Sequence, residues 1–129
     1  MAISQSRSKR KVSGGRYRPY RKKRLYELGS EPTLTKIGER KIKQVRVRGG
    51  NIKFRVLLDE YVNVALPDGT CKKVKIIRVK ENPANRNYVI RNIITKGCIV
   101  ETELGDVIIT SRPGQESTIN GKLIKDANH

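Results

Sequence analysis

From Val45 onward, apolar and polar positions alternate in short stretches. Val45 and Val47 alternate with Arg46 and Arg48, and Ile52, Phe54 and Val56 alternate with Lys53 and Arg55. A period of two sends successive side chains to opposite faces of a strand. Residues 61–66, 71–79, 88–94, 97–101 and 107–110 continue as short runs rich in Val and Ile, and Lys122, Leu123 and Ile124 form a last one. Turn chemistry separates them: Pro67-Asp68-Gly69 is a hairpin signal, Gly105-Asp106 fits a two-residue turn, and Asn120-Gly121 suits a type I′ turn. The stretch from Asn82 to Asn87 and the Arg112-Pro113-Gly114 segment read as polar loops. No segment carries an apolar stripe at helical spacing. Short strands in so small a domain favour closure, because closure leaves no exposed edge. The pattern predicts an all-β protein, a small closed β-barrel of about six short strands.

The first 40 residues lack this pattern. They predict a long irregular basic N-terminal extension, residues 1–40, ahead of a barrel domain, residues 41–129. The 129-residue chain is 36% hydrophobic and 5% aromatic, so any core is modest. No apolar run exceeds three residues, far short of the roughly 20 that a spanning helix needs. An apolar N-terminal h-region is missing too, and no secretory signal is expected. Two cysteines do not make a disulfide framework. These bounds describe a soluble, intracellular, strongly basic protein.

Charge changes the picture more than composition does. The formal net charge is +17. Residues 1–55 hold 18 Lys/Arg against three acids, whereas residues 56–129 hold 11 against nine. A self-repelling basic segment with little apolar surface cannot offset the entropy of its own ordering, and a polyanion is the partner that suits it. From Arg16 to Tyr26 the chain interleaves Tyr17, Tyr20 and Tyr26 with arginines and lysines. Tyrosine rings offer stacking faces to unpaired bases, and guanidinium groups bind phosphate bidentately. Ser13-Gly14-Gly15 allows close backbone approach, and Pro19 and Pro32 argue against a continuous basic helix of the zipper type. Lys41, Lys43, Arg46, Arg48, Lys53 and Arg55 then lie along the first two strands, on either side of Arg48-Gly49-Gly50-Asn51, as a cationic wall and loop. Lys72, Lys73 and Lys75 sit among acids and read as solvated.

Catalysis finds no foothold. His129, the only histidine, ends the chain and offers no positioned base for a Ser or Cys nucleophile. Cys71 and Cys98 fall in strand patterns and read as small buried hydrophobes, and together with His129 they lack zinc-ligand spacing. Gly114 to Gly121-Lys122 fails as a phosphate loop: six residues intervene where four are needed, and Leu123 stands where Ser or Thr should ligate magnesium. Glu101 with Glu103, and Asp59 with Glu60, read as solvated or ion-paired carboxylates. A DNA-coating protein would carry similar charge, and a ribosome-assembly or rRNA-processing factor could use the same barrel, so these alternatives stay open on these grounds.

A longer ordered set of residues goes further. Ser13-Gly14-Gly15-Arg16, Lys22-Lys23-Arg24, Tyr26-Glu27-Leu28-Gly29, Thr35-Lys36-Ile37-Gly38 and Val45-Arg46-Val47-Arg48-Gly49-Gly50-Asn51, with Lys53-Phe54-Arg55, closely resemble the small-subunit ribosomal protein numbered eight in archaea and eukaryotes, the "e" type. Asn92-Ile93-Ile94-Thr95-Lys96-Gly97 and Glu101-Thr102-Glu103-Leu104-Gly105 extend the likeness, which runs from about residue 6 to 125. Eukaryotic members carry an inserted segment in the second half; its absence here resembles the compact archaeal form.

The resemblance implies a structural constituent of the small ribosomal subunit, located in the cytoplasm. Such a protein binds small-subunit ribosomal RNA through a basic extension and a β-barrel, beside neighbouring small-subunit ribosomal proteins. It implies no catalysis, no metal or other cofactor, no membrane and no small-molecule substrate. On positions that match the family's basic and glycine residues, RNA contact is expected of Arg16, Tyr17, Arg18, Arg21, Lys22, Lys23, Arg24, Lys36, Arg46, Arg48, Gly49, Asn51 and Arg55.

Overall fold

The computed structural model of the chain describes residues 3–124. Two compact units succeed each other, with the division between Pro32 and Thr33. The first has no buried side chain among its described residues. Its order comes from backbone pairing instead: antiparallel bridges join Ser4 to Leu28 and Arg10 to Arg16, and a 3-10 turn spans Leu25–Glu27. Without apolar burial, little offsets the entropy of ordering this unit.

The second unit contains the whole core and is almost entirely β, as the alternation predicts. Strands β1 (Lys41–Arg46) and β2 (Ile52–Leu58) form an antiparallel two-stranded ribbon. Strands β3 (Tyr61–Ala65), β4 (Cys71–Glu81), β5 (Ile99–Thr102), β6 (Gly105–Ile109) and β7 (Asn120–Leu123) close into a barrel in chain order. All its pairs are antiparallel except β3–β7, which is parallel and shuts the barrel. The barrel therefore has five strands rather than about six, and the first two predicted strands stand apart from it. Val62, Val64, Val74, Ile76, Val79, Val100, Val107, Ile109 and Ile119 fill it. Alternation in β3 and β4 sends Val62, Val64, Val74 and Ile76 inward and Ile77 outward, and a register shift between Ile76 and Arg78 keeps Arg78 outside as well and turns Val79 inward.

The ribbon is held at its base. Val56 is fully buried in the core; its N–H donates to Pro113 O at 2.9 Å and its carbonyl accepts from buried Thr35 Oγ1 at 2.6 Å. Asp59, also buried, turns β2 into β3: Oδ1 accepts the Tyr61 N–H at 3.1 Å and Oδ2 meets Arg40 at 3.4 Å. The Pro67-Asp68-Gly69 hairpin forms as expected, with Leu66 N–H to Thr70 O at 2.8 Å.

Several expected elements differ. Residues 88–94 are not a strand: Asn87–Ile90 is a single helical turn, α1, and Ile93 and Ile94 are buried consecutively, which alternation forbids. Asn85 starts the turn by accepting the Asn87 N–H on Oδ1 at 2.9 Å, a local bond that competes with sheet pairing. Asn120-Gly121 is not a turn but the start of β7. A Cβ on Gly121 would lie 2.4 Å from Val107 Cγ1 and 2.9 Å from the Ile108 carbonyl, so the glycine serves strand packing, not chain reversal. Gly105 and Asp106 likewise open β6; the reversal falls on Glu103 and Leu104. Cys98 is buried as expected, and burial pushes its thiol pKa up. Cys71, at the first position of β4, is exposed.

Candidate nucleic-acid interface

In the first unit, the Ser13-Gly14-Gly15 segment forms a tight reversal. Gly14, at φ +84°, donates to Lys11 O at 3.0 Å, and Lys11 N–H donates to Gly15 O at 2.8 Å. Positive φ is the glycine's contribution here. The reversal lays Arg16 against Arg10 and lets Tyr17 N–H donate to Lys9 O at 2.9 Å. It also places the Arg7 guanidinium 4.0 Å from the Tyr17 ring centroid, with Lys11 Nζ at 5.6 Å. The Tyr17 ring is thus already engaged by cations of its own chain.

Tyr20 and Tyr26 are the open rings, 83% and 78% exposed. Arg21 lies near both, 5.3 Å from the Tyr20 centroid and 6.0 Å from that of Tyr26. Its Nε donates to Tyr20 OH at 3.0 Å and its Nη2 to Glu27 Oε1. Both contacts hold its pKa above the usual arginine value. The Arg24 N–H donates to Glu27 Oε2 at 3.1 Å, and this bond, then the Arg21 guanidinium, lowers the Glu27 pKa. Arg21 Nη1 is buried with no hydrogen-bond partner among the described residues. Arg21 lines a groove of about 930 Å³ together with Ser4, Ser6, Ser8, Lys9, Arg18 and Lys22 among others. Cations, hydroxyls and ring faces around one groove suit a sugar–phosphate chain. Arg16, Arg18, Lys22, Lys23 and Arg24 are all exposed.

In the second unit, register sorts the ribbon's cations. Directly paired residues share a face, so Lys43 with Arg55, and Val45 with Lys53, line one side. Arg46, opposite Ile52, lies on the other side with Ile42 and Phe54. The expected wall is therefore split: Lys43, Lys53 and Arg55 come together and Arg46 does not join them. Lys43 facing Arg55 sets like charges directly across the ribbon, a repulsion that an external anion would relieve. Lys53 Nζ also donates to Gln115 Oε1 at 3.0 Å. At the ribbon tip, Gly49 and Gly50 take φ +79° and +75°. Asn51 closes this turn, its Nδ2 donating to Arg48 O at 3.3 Å and its carbonyl accepting the Val47 N–H at 2.7 Å. Arg48 is left exposed at the tip. Lys36 lies elsewhere, exposed in a segment bridged to Leu58 on one side and Ile93 on the other.

The barrel wall differs in kind. Lys75 pairs with Glu60 at 3.5 Å, Arg78 with Glu101 and Lys80 with Asp106, both at 2.5 Å. Lys73 sits 4.6 Å above the Tyr61 ring. Among the described residues, no group of three His, Cys, Asp or Glu is placed to hold a metal ion, and no helix is long and apolar enough to cross a membrane. Sequence reasoning passed over Arg7 and Lys9, whose role appears only once the Gly14 reversal folds them onto Tyr17 and the groove. It also passed over Arg86 and Arg91, hidden in a stretch read as loop and strand.

Residues 4–124 match the family described as Ribosomal protein S8e. The chain is 57% identical over 122 residues to the small ribosomal subunit protein eS8 of Nanoarchaeum equitans, covering 94% of this chain and 96% of that protein. It is 54% identical over 125 residues to the eS8 protein of Picrophilus torridus, covering 96% and 100% respectively. With the match spanning both units, the extension as well as the barrel, the chain belongs to the ribosomal protein S8e family, one of structural ribosomal proteins and not of enzymes.

Proposed function

We propose that this chain is a structural constituent of the small ribosomal subunit, in the cytoplasm, and that it binds small-subunit rRNA through its first unit and its β1–β2 ribbon. The observation that carries this reading is the sorting of cations. On the barrel wall Lys75, Arg78 and Lys80 are matched by carboxylates. In residues 3–30 and along the ribbon, cations crowd together, with Glu27 the only acid between Ile3 and Ser30. Charge kept unneutralised against its own repulsion fits a dense external anion.

In this mechanism the groove of the first unit follows the RNA backbone. Arg18, Lys22 and Lys23 neutralise phosphates, and Tyr20 and Tyr26 offer ring faces to bases. Glu27 keeps Arg21 between those rings, and Arg7 keeps Tyr17 in place. The face of Lys43, Lys53 and Arg55 and the Arg48 tip add phosphate contacts. Neighbouring small-subunit proteins are the other partners.

Sedimentation of native extract through sucrose gradients, at low and at high salt, tests this. Near-stoichiometric migration with mature small subunits and with translating ribosomes is the expected result. Confinement to immature particles would make the chain an assembly factor, and co-migration with chromosomal DNA would reject the RNA reading.

A further inference from the structure

We propose that the segment of residues 82–96 is a second, preformed rRNA contact, built from Arg86, Ile90 and Arg91 with Lys36 beside it. The inference rests on the RNA-binding reading above and adds a site to it. Ile90 is 83% exposed, more than any other large hydrophobic residue of the second unit among those described. Arg86 precedes α1 with helical backbone angles and stands four residues before Ile90, so the two share a face. Arg91 follows directly. Both arginines are exposed, and among the described residues neither meets a carboxylate within ion-pairing distance, unlike Lys75, Arg78 and Lys80. The segment itself contains no acid.

The base beneath this tip is fixed. Asn82 is buried; its Nδ2 donates to Ile93 O at 3.1 Å, and its Oδ1 accepts from Thr95 Oγ1 and the Ala84 N–H, each at 3.0 Å. Asn92, held at φ +50°, accepts the Val79 N–H at 3.2 Å on Oδ1. Ile93 and Ile94 are buried, and Ile94 N–H donates to Thr35 O at 2.8 Å. An exposed apolar side chain between two arginines on so constrained a base costs little ordering when a ligand arrives. The antiparallel bridge of Lys36 to Ile93 brings a third exposed cation to this edge.

The chemistry fits an A-form RNA helix. Its minor groove is wide and shallow, accepts an aliphatic side chain against the sugars, and is flanked by phosphates at which guanidiniums form paired bonds. A protein neighbour would have to bring acids to this edge, whereas RNA brings anionic charge everywhere.

The test uses the full chain and small-subunit rRNA of an archaeon transcribed in vitro, with binding measured across a salt series. Arg86→Ala with Arg91→Ala is expected to weaken binding about 10-fold or more and to flatten the log–log salt slope by roughly 1.5 units, for two lost phosphate contacts. Ile90→Ala should weaken binding by about threefold at an unchanged slope, because it removes contact without charge. Lys75→Ala, on the ion-paired wall, should change neither. Thermal unfolding is expected to be unaltered, since all these side chains are exposed. Wild-type affinity and slope in the double variant would overturn the proposal; if that variant also failed to enter small subunits, the edge would belong to a protein neighbour. Failure of the RNA-binding reading itself would look different: the unmodified chain would bind duplex DNA as tightly as rRNA.

Discussion

Glu27 is the only acid among the cations of residues 3–30, and its two oxygens hold Arg24 and Arg21. Because those contacts lower its pKa, the ordering they supply is complete above the ordinary glutamate value of about 4.3. It is lost as pH falls through the lowered one. An NMR titration of the Glu27 carboxyl should give a midpoint below that ordinary value, and a midpoint at or above it would mean Arg21 is not held there. Glu27→Gln should loosen the Arg21 Nη2 hydrogens into faster exchange and leave barrel stability unchanged. Gly121 makes the contrasting case, a residue whose role is wholly structural. A Cβ there meets Val107 and the Ile108 carbonyl, so Gly121→Ala should destabilise the barrel by about 3 kcal/mol. For a unit of this size that is a fall in Tm of roughly 12 °C or more, visible by calorimetry. An unchanged Tm would show that β6 and β7 can separate at no cost.

At the level of elements, the ribbon sets stability against the proposed RNA binding. Lys43 opposes Arg55 directly, so Lys43→Glu converts a repulsive cross-strand pair into an attractive one. Thermal denaturation should show the variant more stable by about 0.2–1 kcal/mol, while its affinity for rRNA falls. Loss of both would place Lys43 in the fold instead. The ribbon also shows how far the sequence can be read. Its strands and its tip were legible, because Val45, Val47, Ile52, Phe54 and Val56 alternate with cations and Gly49-Gly50 demands positive φ. Its separation from the barrel was not, because alternation says that one face is apolar without saying what covers it. Register was equally hidden, and only pairing shows that Arg46 leaves the face of Lys43 and Arg55. Residues 88–94 misled for a related reason: a short apolar run suits a strand or a helical turn alike. What decided between them was the local Asn85 bond together with Asn82 and Asn92, two amides whose bonds to Ile93, Thr95 and Val79 form only once those distant residues are in place. Cys71 and Asn120-Gly121 were misread locally, the first because a strand end is solvated, the second because a glycine wanted for packing looks like one wanted for turning.

Across the whole molecule, apolar burial and the densest positive charge fall on different residues. Every buried hydrophobic side chain among those described lies beyond Pro32, whereas residues 1–32 hold ten Lys/Arg against two acids. Removing residues 1–32 should therefore leave the barrel folded, with its Tm nearly unchanged, and still weaken rRNA binding severely. If about ten cations of the full chain displace counterions, log affinity falls with log salt at a slope near −7 to −9. The truncated chain should lose roughly one unit of that slope for each phosphate contact removed. An unchanged slope would leave the ribbon and barrel as the whole interface. Limited trypsin digestion checks the same division from the other side. With no apolar burial to hold it, the first unit should be cut first in the free protein, at sites among Lys9, Arg16, Lys22 and Lys23. It should be protected once rRNA occupies the groove, because the entropy of ordering is then offset by phosphate contacts. Equal resistance of both units in the free protein would mean that the groove exists before the RNA arrives. The affinity lost on truncation would then measure contacts alone, free of any cost of folding.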